Sequence, residues 1–348
     1  MPLAIGVDPG TVSIDVCGLG DGAPVLDCTI PTEDALADPE GFAALLRSAG
    51  PPDLVAGPSG YGLPLVPAAQ ATEADLRLAF LAPPEEEGGI GGLRRLARVL
   101  GASGLPVVFT PGVIHLDTVP DYRKLNRVDL GTADKVAAAA LGIADQAERL
   151  GVEPEDTSFL LLELGGAFSA AIAVDRGRIV DGLGGTSGPI GRRAAGAWDG
   201  EVAFLAGQVT KRMLFRGGLS DLPGSRRAEG LAALVEGALK AVRQLLVAVP
   251  SPREILLAGR VIEESGVRER LEPGLGSLAP VRHLRGFAGV AKAGAQGAAL
   301  IADGLAGGRH ATLVETMRLR QARGTVLDHL VVISPADARK RLGIGPVI

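Results

Sequence analysis

Residues 5–19 read IGVDPGTVSIDVCGL, two apolar β-rich runs separated by a proline–glycine turn. Alternating apolar residues on either side of such a turn predict two antiparallel strands, at residues 3–8 and 12–19. A second turn and another β-rich run predict a third strand at residues 24–30. Three strands joined by tight turns indicate an antiparallel meander at the start of the fold.

The same pattern starts again in the second half of the chain. Strands are predicted at residues 158–163, 168–174 and 178–183, and helices alternate with strands after them, as they do after the first meander. A long alanine-rich helix at residues 132–150, with Thr132 as its cap, separates the two halves. Two matching α/β halves predict two lobes whose mixed sheets face each other across a cleft.

These patterns divide the chain into three parts. We expect an N-terminal lobe at residues 1–155, a C-terminal lobe at 156–306 and an extension at 307–348. The extension is predicted to contain a basic helix, a strand at 326–333 and a short helix after Pro335. A chain of 348 residues with 47% hydrophobic and 22% charged residues has enough apolar sequence for two such lobes.

Composition excludes several classes of function. The net charge of −5 and the absence of a polybasic stretch argue against nucleic acid as a partner. No apolar run reaches about 18 residues and no signal peptide precedes the first strand, so we expect a cytoplasmic protein without a membrane partner. Cys17 and Cys28 are the only cysteines, too few for a disulfide framework or a four-cysteine zinc site.

The first turn has the chemistry of a phosphate loop. Gly10 lets the backbone come close to an anion, and the hydroxyls of Thr11 and Ser13 join the turn N–H groups as donors to phosphate oxygens. Asp8, at the end of the strand, is a candidate magnesium ligand. The same turn is also typical of an ordinary hairpin, so the prediction depends on a second loop.

The second half supplies the corresponding loop. Gly165, Gly166 and Ser169 follow a strand that ends near Glu163, which is a second candidate metal ligand. Two such loops, one from each lobe, would clamp the phosphates of a nucleotide together with Mg²⁺.

Two further turns complete the predicted nucleotide site. Ala258 and Gly259 follow a buried strand and bring backbone close to a base or ribose. Gly184, Gly185 and Thr186 end a hairpin and add N–H and hydroxyl donors near the cleft.

Two phosphate loops followed by an adenosine turn, in this order, resemble the superfamily of acetate and sugar kinases, heat-shock chaperone ATPases and actin. The resemblance covers residues 3–304. It implies the actin-like ATPase fold, with two ribonuclease-H-like lobes and a nucleotide cleft between them, and it implies ATP and Mg²⁺ as cofactors. Glu163 stands where an aspartate is usual and Ala258 where a glycine is usual, so the metal geometry at Glu163 stays open.

A more specific resemblance comes from TPGVIHLDTVP at residues 110–120 and RKLNRVDLGTADK at residues 123–135. These motifs are similar to an uncharacterised, mainly archaeal family labelled "predicted butyrate kinase". Residues 57–62 and 182–188 are similar to it as well, and the likeness runs nearly from end to end. Through its label alone, the resemblance implies a short-chain carboxylate as acceptor.

The stretch before the long helix is where we expect the acceptor, because open α/β sheets place ligands at such strand ends. Asp134 lies in the first turn of that helix, where kinases of this superfamily have a catalytic aspartate; complementing the helix dipole is the alternative. Arg123 and Arg127 suit a carboxylate or a transferring phosphoryl group, or form a solvated loop. His115 either donates to an oxyanion, as histidines do in acetate kinase, or is structural. Ser59 lies in a glycine-rich loop that would line the acceptor pocket.

Three functions follow from these residues. The first is a small-molecule kinase: a carboxylate acceptor is already ionised and depends on His115 and the arginines, whereas a hydroxyl acceptor depends on Asp134 as its base. The second is a nucleotide-driven switch that acts on a protein partner, with the basic extension as docking element. The third is a nucleotide-binding protein without turnover. A homodimer is compatible with each of them.

Overall fold

Strands and helices alternate in two similar halves of the chain. The structure, a computed structural model, describes residues 1–10, 12–82 and 90–345. The strands of the first half are β1 (Ala4–Pro9), β2 (Ser13–Gly20), β3 (Ala23–Pro31), β4 (Leu54–Ala56) and β5 (Val107–Val108). Those of the second half are β6 (Ser158–Leu164), β7 (Ser169–Asp175), β8 (Arg178–Leu183), β9 (Glu254–Ala258) and β10 (Val281–His283).

The helices connect these strands and cover their faces. In the first half they are α1 (Thr32–Ala37), α2 (Pro39–Leu45), α3 (Glu73–Phe80), α4 (Ile90–Ala102), α5 (Asp121–Lys124) and α6 (Ala133–Leu150). After them come α7 (Gly200–Ala206), α8 (Arg227–Leu245), α9 (Arg268–Gly276), α10 (Ala293–Leu305), α11 (Ala311–Thr316) and α12 (Pro335–Arg341). Among the helices described, none combines the length and apolar character needed to cross a membrane.

Two five-stranded sheets share one topology. The first has the order β3-β2-β1-β4-β5, and the second, β10-β9-β6-β7-β8, repeats it when read from the other edge. In each sheet the central strand is antiparallel to its hairpin partner and parallel to the strand that follows the crossover: β1 with β2 and β4, β6 with β7 and β9. The predicted pair of α/β lobes with mixed sheets is therefore confirmed.

The lobes are joined by an exchange of helices. Helix α6 follows the first sheet but packs on the second, where a Cβ at Gly142 would lie 2.7 Å from the ring of Phe159. Helix α10 follows the second sheet but packs on the first, where a Cβ at Gly6 would lie 2.1 Å from the carbonyl oxygen of Ala295. One apolar core therefore continues from the first sheet through both helices to the inner face of the second.

The local sequence explains why α6 has these bounds. Alanines fill its buried face, and it ends at Gly151, whose φ of 63° gives the left-handed cap that glycine adopts at least cost. Helix α3 lies outside the sequence prediction, although Thr72 and Asp75 form the reciprocal capping box that marks its start. Helix α7 stops at Ala206, because Gly207 reverses the chain with a φ of 70°.

The predicted strand at residues 326–333 is wrong, because the chain there forms turns and bends. The N–H groups of Val331 and Val332 donate to the side-chain oxygen of Asn126, at 2.7 and 2.9 Å, instead of pairing with a neighbouring strand. Both valine side chains are exposed. A β-rich run without an open sheet edge beside it does not become a strand.

The predicted basic helix is shorter than expected, and the extension packs on the first lobe. Helix α11 is followed by Arg318, whose φ of 56° interrupts the helical path. The Arg318 guanidinium instead forms a two-pronged ion pair with Asp117. The predicted short helix after Pro335 is confirmed as α12.

Candidate active site

A cleft of about 530 Å³ opens between the two lobes, a volume typical of small-ligand sites. Both sheets contribute to it through the loops at their strand ends. Twelve of the predicted site residues line it: Asp8, Gly10, Ser13, Ser59, Asp134, Glu163, Gly165, Gly166, Gly185, Thr186, Ala258 and Gly259. Thr11, also predicted, lies outside the residues that the structure describes.

The first hairpin loop lies at one wall of the cleft. Its turn is closed by the N–H of Gly10, which donates to the Asp8 carbonyl at 3.1 Å, and is fixed by the Thr32 hydroxyl, which donates to the Gly10 carbonyl at 2.8 Å. The Lys292 ammonium lies 2.7 Å from the Ser13 hydroxyl and also pairs with Asp15. With a positive ammonium group beside it, the loop is suited to binding a phosphate group.

Sequence reasoning missed Lys292. It occupies the N-cap position of α10, where a positive side chain is opposed by the helix dipole. That unfavourable placement is the signal that could have identified it.

The second hairpin loop and the turn at Ala258 and Gly259 lie side by side. The N–H of Gly165 closes its turn on the Phe168 carbonyl at 2.9 Å. Gly259 has a φ of 93°, and a Cβ there would lie 2.3 Å from the Leu164 carbonyl oxygen, so only glycine fits. The Arg260 guanidinium lies against Gly166. This wall therefore combines backbone donors, a positive side chain and a flat backbone surface.

Four charged side chains meet where the two walls converge. The Lys135 ammonium donates to Asp134 at 2.6 Å and to Glu163 at 2.5 Å, and it interacts electrostatically with Asp8. Asp134 also accepts a hydrogen bond from the Thr132 hydroxyl. Because Lys135 belongs to the first half of the chain and Glu163 to the second, the ion pair joins the lobes inside the cleft.

Burial and mutual repulsion set the protonation of this cluster. Burial, followed by the nearby charge of Asp134, raises the pKa of Asp8 to about 7. Burial also disfavours the charge of Asp134, but the Lys135 ammonium outweighs it and holds the pKa of Asp134 below its usual range. Burial opposes the charge of Lys135 too, yet Asp134 and Glu163 outweigh that effect and raise its pKa. Three carboxylates around one ammonium leave an excess of negative charge.

The residues present fit a partial magnesium site. Within the described part of the chain, no three His, Cys, Asp or Glu side chains are arranged as a complete metal site. Mg²⁺ usually binds one or two protein carboxylates and takes its other ligands from water and phosphates. Asp8 and Glu163 line the cleft, and the raised pKa of Asp8 reflects buried negative charge that a cation would neutralise.

Three of the remaining predicted residues lie behind the cleft wall. His115 is 1% exposed, its Nδ1 contacts the backbone of Gly112, and burial lowers its pKa to about 4, so the ring is neutral at pH 7. Ser169 is buried and donates to the Ile190 carbonyl at 3.1 Å. Gly184 packs against Asp129.

Arg123 and Arg127 also lie outside the lining of the cleft. Arg123 donates to the Val180 carbonyl at 2.7 Å and approaches Asp181 at 3.5 Å, so its guanidinium is held on strand β8. Burial raises the pKa of the Asp181 carboxyl. The charges of Arg123 and Arg127 lower that pKa in part, so Arg127 also lies near Asp181. The structure thus brings Asp134 into the cleft and directs these two arginines elsewhere.

The far end of the cleft combines hydroxyl groups with apolar side chains. The Ser59 and Thr110 hydroxyls are 3.1 Å apart and both side chains are buried. Tyr61, Phe80 and Leu93 line the same region. Ser59 was predicted here, and its partner Thr110 was part of the quoted motif.

Asp129 connects this end of the cleft to the second lobe, and sequence reasoning missed its role. Its carboxylate accepts hydrogen bonds from the backbone N–H and the hydroxyl of Thr186, each at 2.9 Å. The loop before α6 and the loop after β8 are therefore fixed to each other.

The fold and this cleft define a chain of the actin-like ATPase architecture, two similar lobes with hairpin loops on both sides of a ligand cleft. Within that class, the chain belongs to the family described as "Protein of unknown function (DUF1464)", whose model matches residues 6–332. That description names no activity, so butyrate kinase activity stays a prediction. No curated protein matches the chain.

Solved structures share the fold at low sequence identity. A propionate kinase from Francisella tularensis subsp. tularensis SCHU S4 has 13% identity and a TM-score of 0.60, covering 85% of this chain and 99% of its own. Acetate kinase from Porphyromonas gingivalis has 13% identity and a TM-score of 0.56, covering 80% and 88%. Acetate kinase from Entamoeba histolytica has 12% identity and a TM-score of 0.55, covering 79% and 86%. Likeness at this identity establishes the two-lobed fold.

Proposed function

We propose that this protein is an ATP- and Mg²⁺-dependent kinase of a small molecule. The observation that carries the proposal is the convergence of both hairpin loops, the adenosine turn and Asp134 on one cleft. The named fold relatives are kinases of small carboxylic acids, which supports the class of reaction.

We assign one role to each wall. The turn at Ala258 and Gly259 receives the adenosine, and the loops at Gly10 and Gly165 receive the phosphates. Lys292 and Arg260 contribute positive charge beside those two loops. Asp8 and Glu163 would hold Mg²⁺, which neutralises phosphate charge when bound.

Asp134 is the candidate catalytic residue at the acceptor side. It lines the cleft at the start of α6, and its two carboxylate oxygens are oriented by Thr132 and Lys135. A carboxylate held in this way receives or directs the proton of an attacking group. Lys135 also pairs with Glu163, which belongs to the second half of the chain.

The extension favours the kinase over a switch that docks on a protein partner. Arg318 pairs with Asp117, Arg320 with Glu315, and the backbone N–H of residue 323 donates to the His115 carbonyl at 2.9 Å. The guanidinium groups of Arg318 and Arg320 thus pair with carboxylates of their own chain. The three-part division, the cytoplasmic location and the homodimer stay predictions of the sequence.

A coupled ADP assay on the full chain tests the proposal. With Mg²⁺ and ATP, we expect ADP only when an acceptor is added, drawn from a panel of short carboxylic acids, alcohols and polyols. Steady ADP release without acceptor would favour the switch ATPase, and ATP binding without any ADP would favour a binding protein. Nucleotide binding is followed separately by thermal stabilisation, so the three outcomes are distinguishable.

A further inference from the structure

We infer that the acceptor is an uncharged hydroxyl compound with an apolar part, and not a carboxylate. The inference rests on the proposed kinase function and names its substrate class. It is carried by the distribution of charge in the cleft, where carboxylates lie at the acceptor side and each positive side chain of the described lining is either paired with a carboxylate or lies beside a proposed phosphate loop.

The positive groups of the cleft lie with the phosphate loops or inside the carboxylate cluster. Among the described lining residues, the basic side chains are those of Lys135, Arg260, His283 and Lys292. Lys135 is paired with Asp134 and Glu163, and Lys292 with Asp15 and the first phosphate loop. Arg260 lies against the second phosphate loop.

His283, the fourth basic side chain, also has a carboxylate partner away from the acceptor end. His283 approaches Glu263 at 3.3 Å on the adenosine side of the cleft. A carboxylate acceptor needs a paired cation when it leaves water, and these four positions do not supply one at the acceptor end.

Arg123 and His115, which the sequence predicted for the acceptor, also lie outside the described lining. The guanidinium of Arg123 is held by Val180 and Asp181 on β8, and His115 is buried behind the wall. Lys211 is outside the described lining, and its ammonium lies over the face of the Tyr61 ring, 5.1 Å from the ring centre. Thr11 and residues 83–89 and 346–348, which the structure does not describe, contain no Lys, Arg or His.

The acceptor end is instead built for a neutral ligand. The buried hydroxyls of Ser59 and Thr110 and the side chain of Tyr61 offer donors and acceptors without charge. Phe80 and Leu93, both nearly fully buried, provide apolar surface. Asp129 adds a further carboxylate at this end. A second anion would be repelled here, whereas an alcohol or polyol with a short apolar segment finds partners for both of its parts.

The reaction balances with ATP as the only co-substrate. The acceptor hydroxyl oxygen forms a bond to the γ-phosphorus while the bond from that phosphorus to the oxygen bridging to the β-phosphate breaks. ADP leaves with that bridging oxygen, and the hydroxyl proton passes to a carboxylate oxygen of Asp134. The product is a phosphate monoester. A carboxylate acceptor would instead yield an acyl phosphate and would need no base.

Matched acceptor pairs test the inference. Ethanol, propanol and butanol are compared with acetate, propionate and butyrate, and glycerol and erythritol with glycerate and erythronate, under one coupled ADP assay. Products are treated with hydroxylamine, which converts acyl phosphates to hydroxamates and leaves phosphate monoesters intact. We expect ADP release at least tenfold higher with the uncharged member of an accepted pair, a stable monoester by phosphorus NMR, and no hydroxamate.

Each other outcome counts against the inference in a recognisable way. Hydroxamate formation with any of the acids would overturn the hydroxyl acceptor and leave the kinase proposal standing. ADP release that is independent of every acceptor, or no ADP with any of them, would overturn both. As a second measurement, Thr110→Val removes one neutral donor and should raise the KM for the hydroxyl acceptor with little effect on the KM for ATP; an equal rise in both would contradict the assigned pocket.

Discussion

At the scale of single residues, Lys135 determines how the cleft is charged. Its ammonium is buried between Asp134 and Glu163, from different halves of the chain, and a third carboxylate, Asp8, lies nearby. Breaking a buried ion pair by removing one partner leaves an uncompensated charge and is strongly destabilising. Lys135 therefore orients the carboxylate that we propose as catalytic, and through Glu163 it also links the two halves of the chain.

Asp134→Asn should separate chemistry from nucleotide binding. The amide keeps the shape of the side chain but accepts no proton, so we expect kcat to fall by about 10²- to 10⁴-fold. The dissociation constant for ATP should stay within about threefold, because the phosphate loops are unchanged. Asp156→Asn makes the same chemical change at an exposed position and should leave both constants unaltered. Equal losses in binding and turnover would show that Asp134 belongs to the nucleotide site instead.

Asp8 should make metal–nucleotide binding dependent on pH. Its pKa is raised to about 7, so the carboxyl is protonated at lower pH and ionised above it. A protonated carboxyl is a poor Mg²⁺ ligand, so we expect affinity for Mg²⁺–ATP to fall about tenfold from pH 8 to pH 6. Calorimetry at pH 6 in buffers of different ionisation enthalpy should detect close to one proton released on binding.

The matched control for this pH effect is Asp8→Asn. The variant has no titrating group at position 8, whereas the nucleotide keeps its own proton equilibria. Its affinity for Mg²⁺–ATP should therefore be lower than that of the wild type and nearly independent of pH. A pH dependence that is identical in both proteins would assign the proton to the nucleotide and not to Asp8.

At the scale of elements, the crossing of α6 and α10 controls how the lobes meet. Gly297 on α10 faces α6 so closely that a Cβ would lie 1.7 Å from the Ala137 carbonyl oxygen. That atom belongs to the backbone of a buried helix and cannot move aside as the tip of a side chain does. The close approach therefore fixes how α6 and α10 pack against each other.

Gly297→Ala should therefore destabilise the protein far more than its single methyl group suggests. We expect a loss of more than about 3 kcal/mol in the free energy of unfolding, because two helices must separate. Gly276→Ala is the matched control: it lies in helix α9 with no atom within 4 Å of the added Cβ, and it should be neutral or slightly stabilising. Chemical denaturation of both variants measures the difference, and equal stability would mean that the helices separate without cost.

Strands, turns and helices that are determined by residues close together in the sequence were predictable. Both meanders and α6 follow from alternation, turn residues and alanine content, and the loops at Gly10 and Gly165 follow from their position at the strand ends. Contacts between distant residues were not, because they depend on how the lobes pack. Lys292 reaches Ser13 across 279 positions. The extension lacks its predicted strand because Asn126 takes the backbone donors that a strand would offer.

The same limit applies to the candidate site. The residues near Asp134 were recognised as a group, but the sequence could not show which of them face the cleft. Asp134 lies in the first turn of a helix that begins at the cleft, whereas Arg123 lies on α5 and reaches the backbone of β8. Side-chain direction at a loop depends on the partner that the other lobe presents, here Val180 and Asp181.

At the scale of the whole molecule, the extension is part of the core and not an appendage. Val314, Met317, Leu319 and Val326 are nearly fully buried in the apolar cluster that also contains the first sheet and α6. Because one core runs through the first lobe, both crossing helices and the extension, we expect the chain to unfold as one cooperative unit. Nucleotide binding and the extension should then be lost together.

A matched pair of substitutions within the extension tests this. Val314→Asp places a charge at a site with 0% exposure, whereas Val332→Asp places the same charge at a site with 88% exposure. We expect the first to lower the free energy of unfolding by more than about 3 kcal/mol and to abolish ATP binding at the temperature where the wild type binds, and the second to change stability by less than about 0.5 kcal/mol. Thermal unfolding followed by circular dichroism, with and without Mg²⁺–ATP, measures both. If the protein with Val314→Asp kept the wild-type Tm and still bound ATP, the extension would be an independent module, and its role as a docking element for a protein partner would regain support.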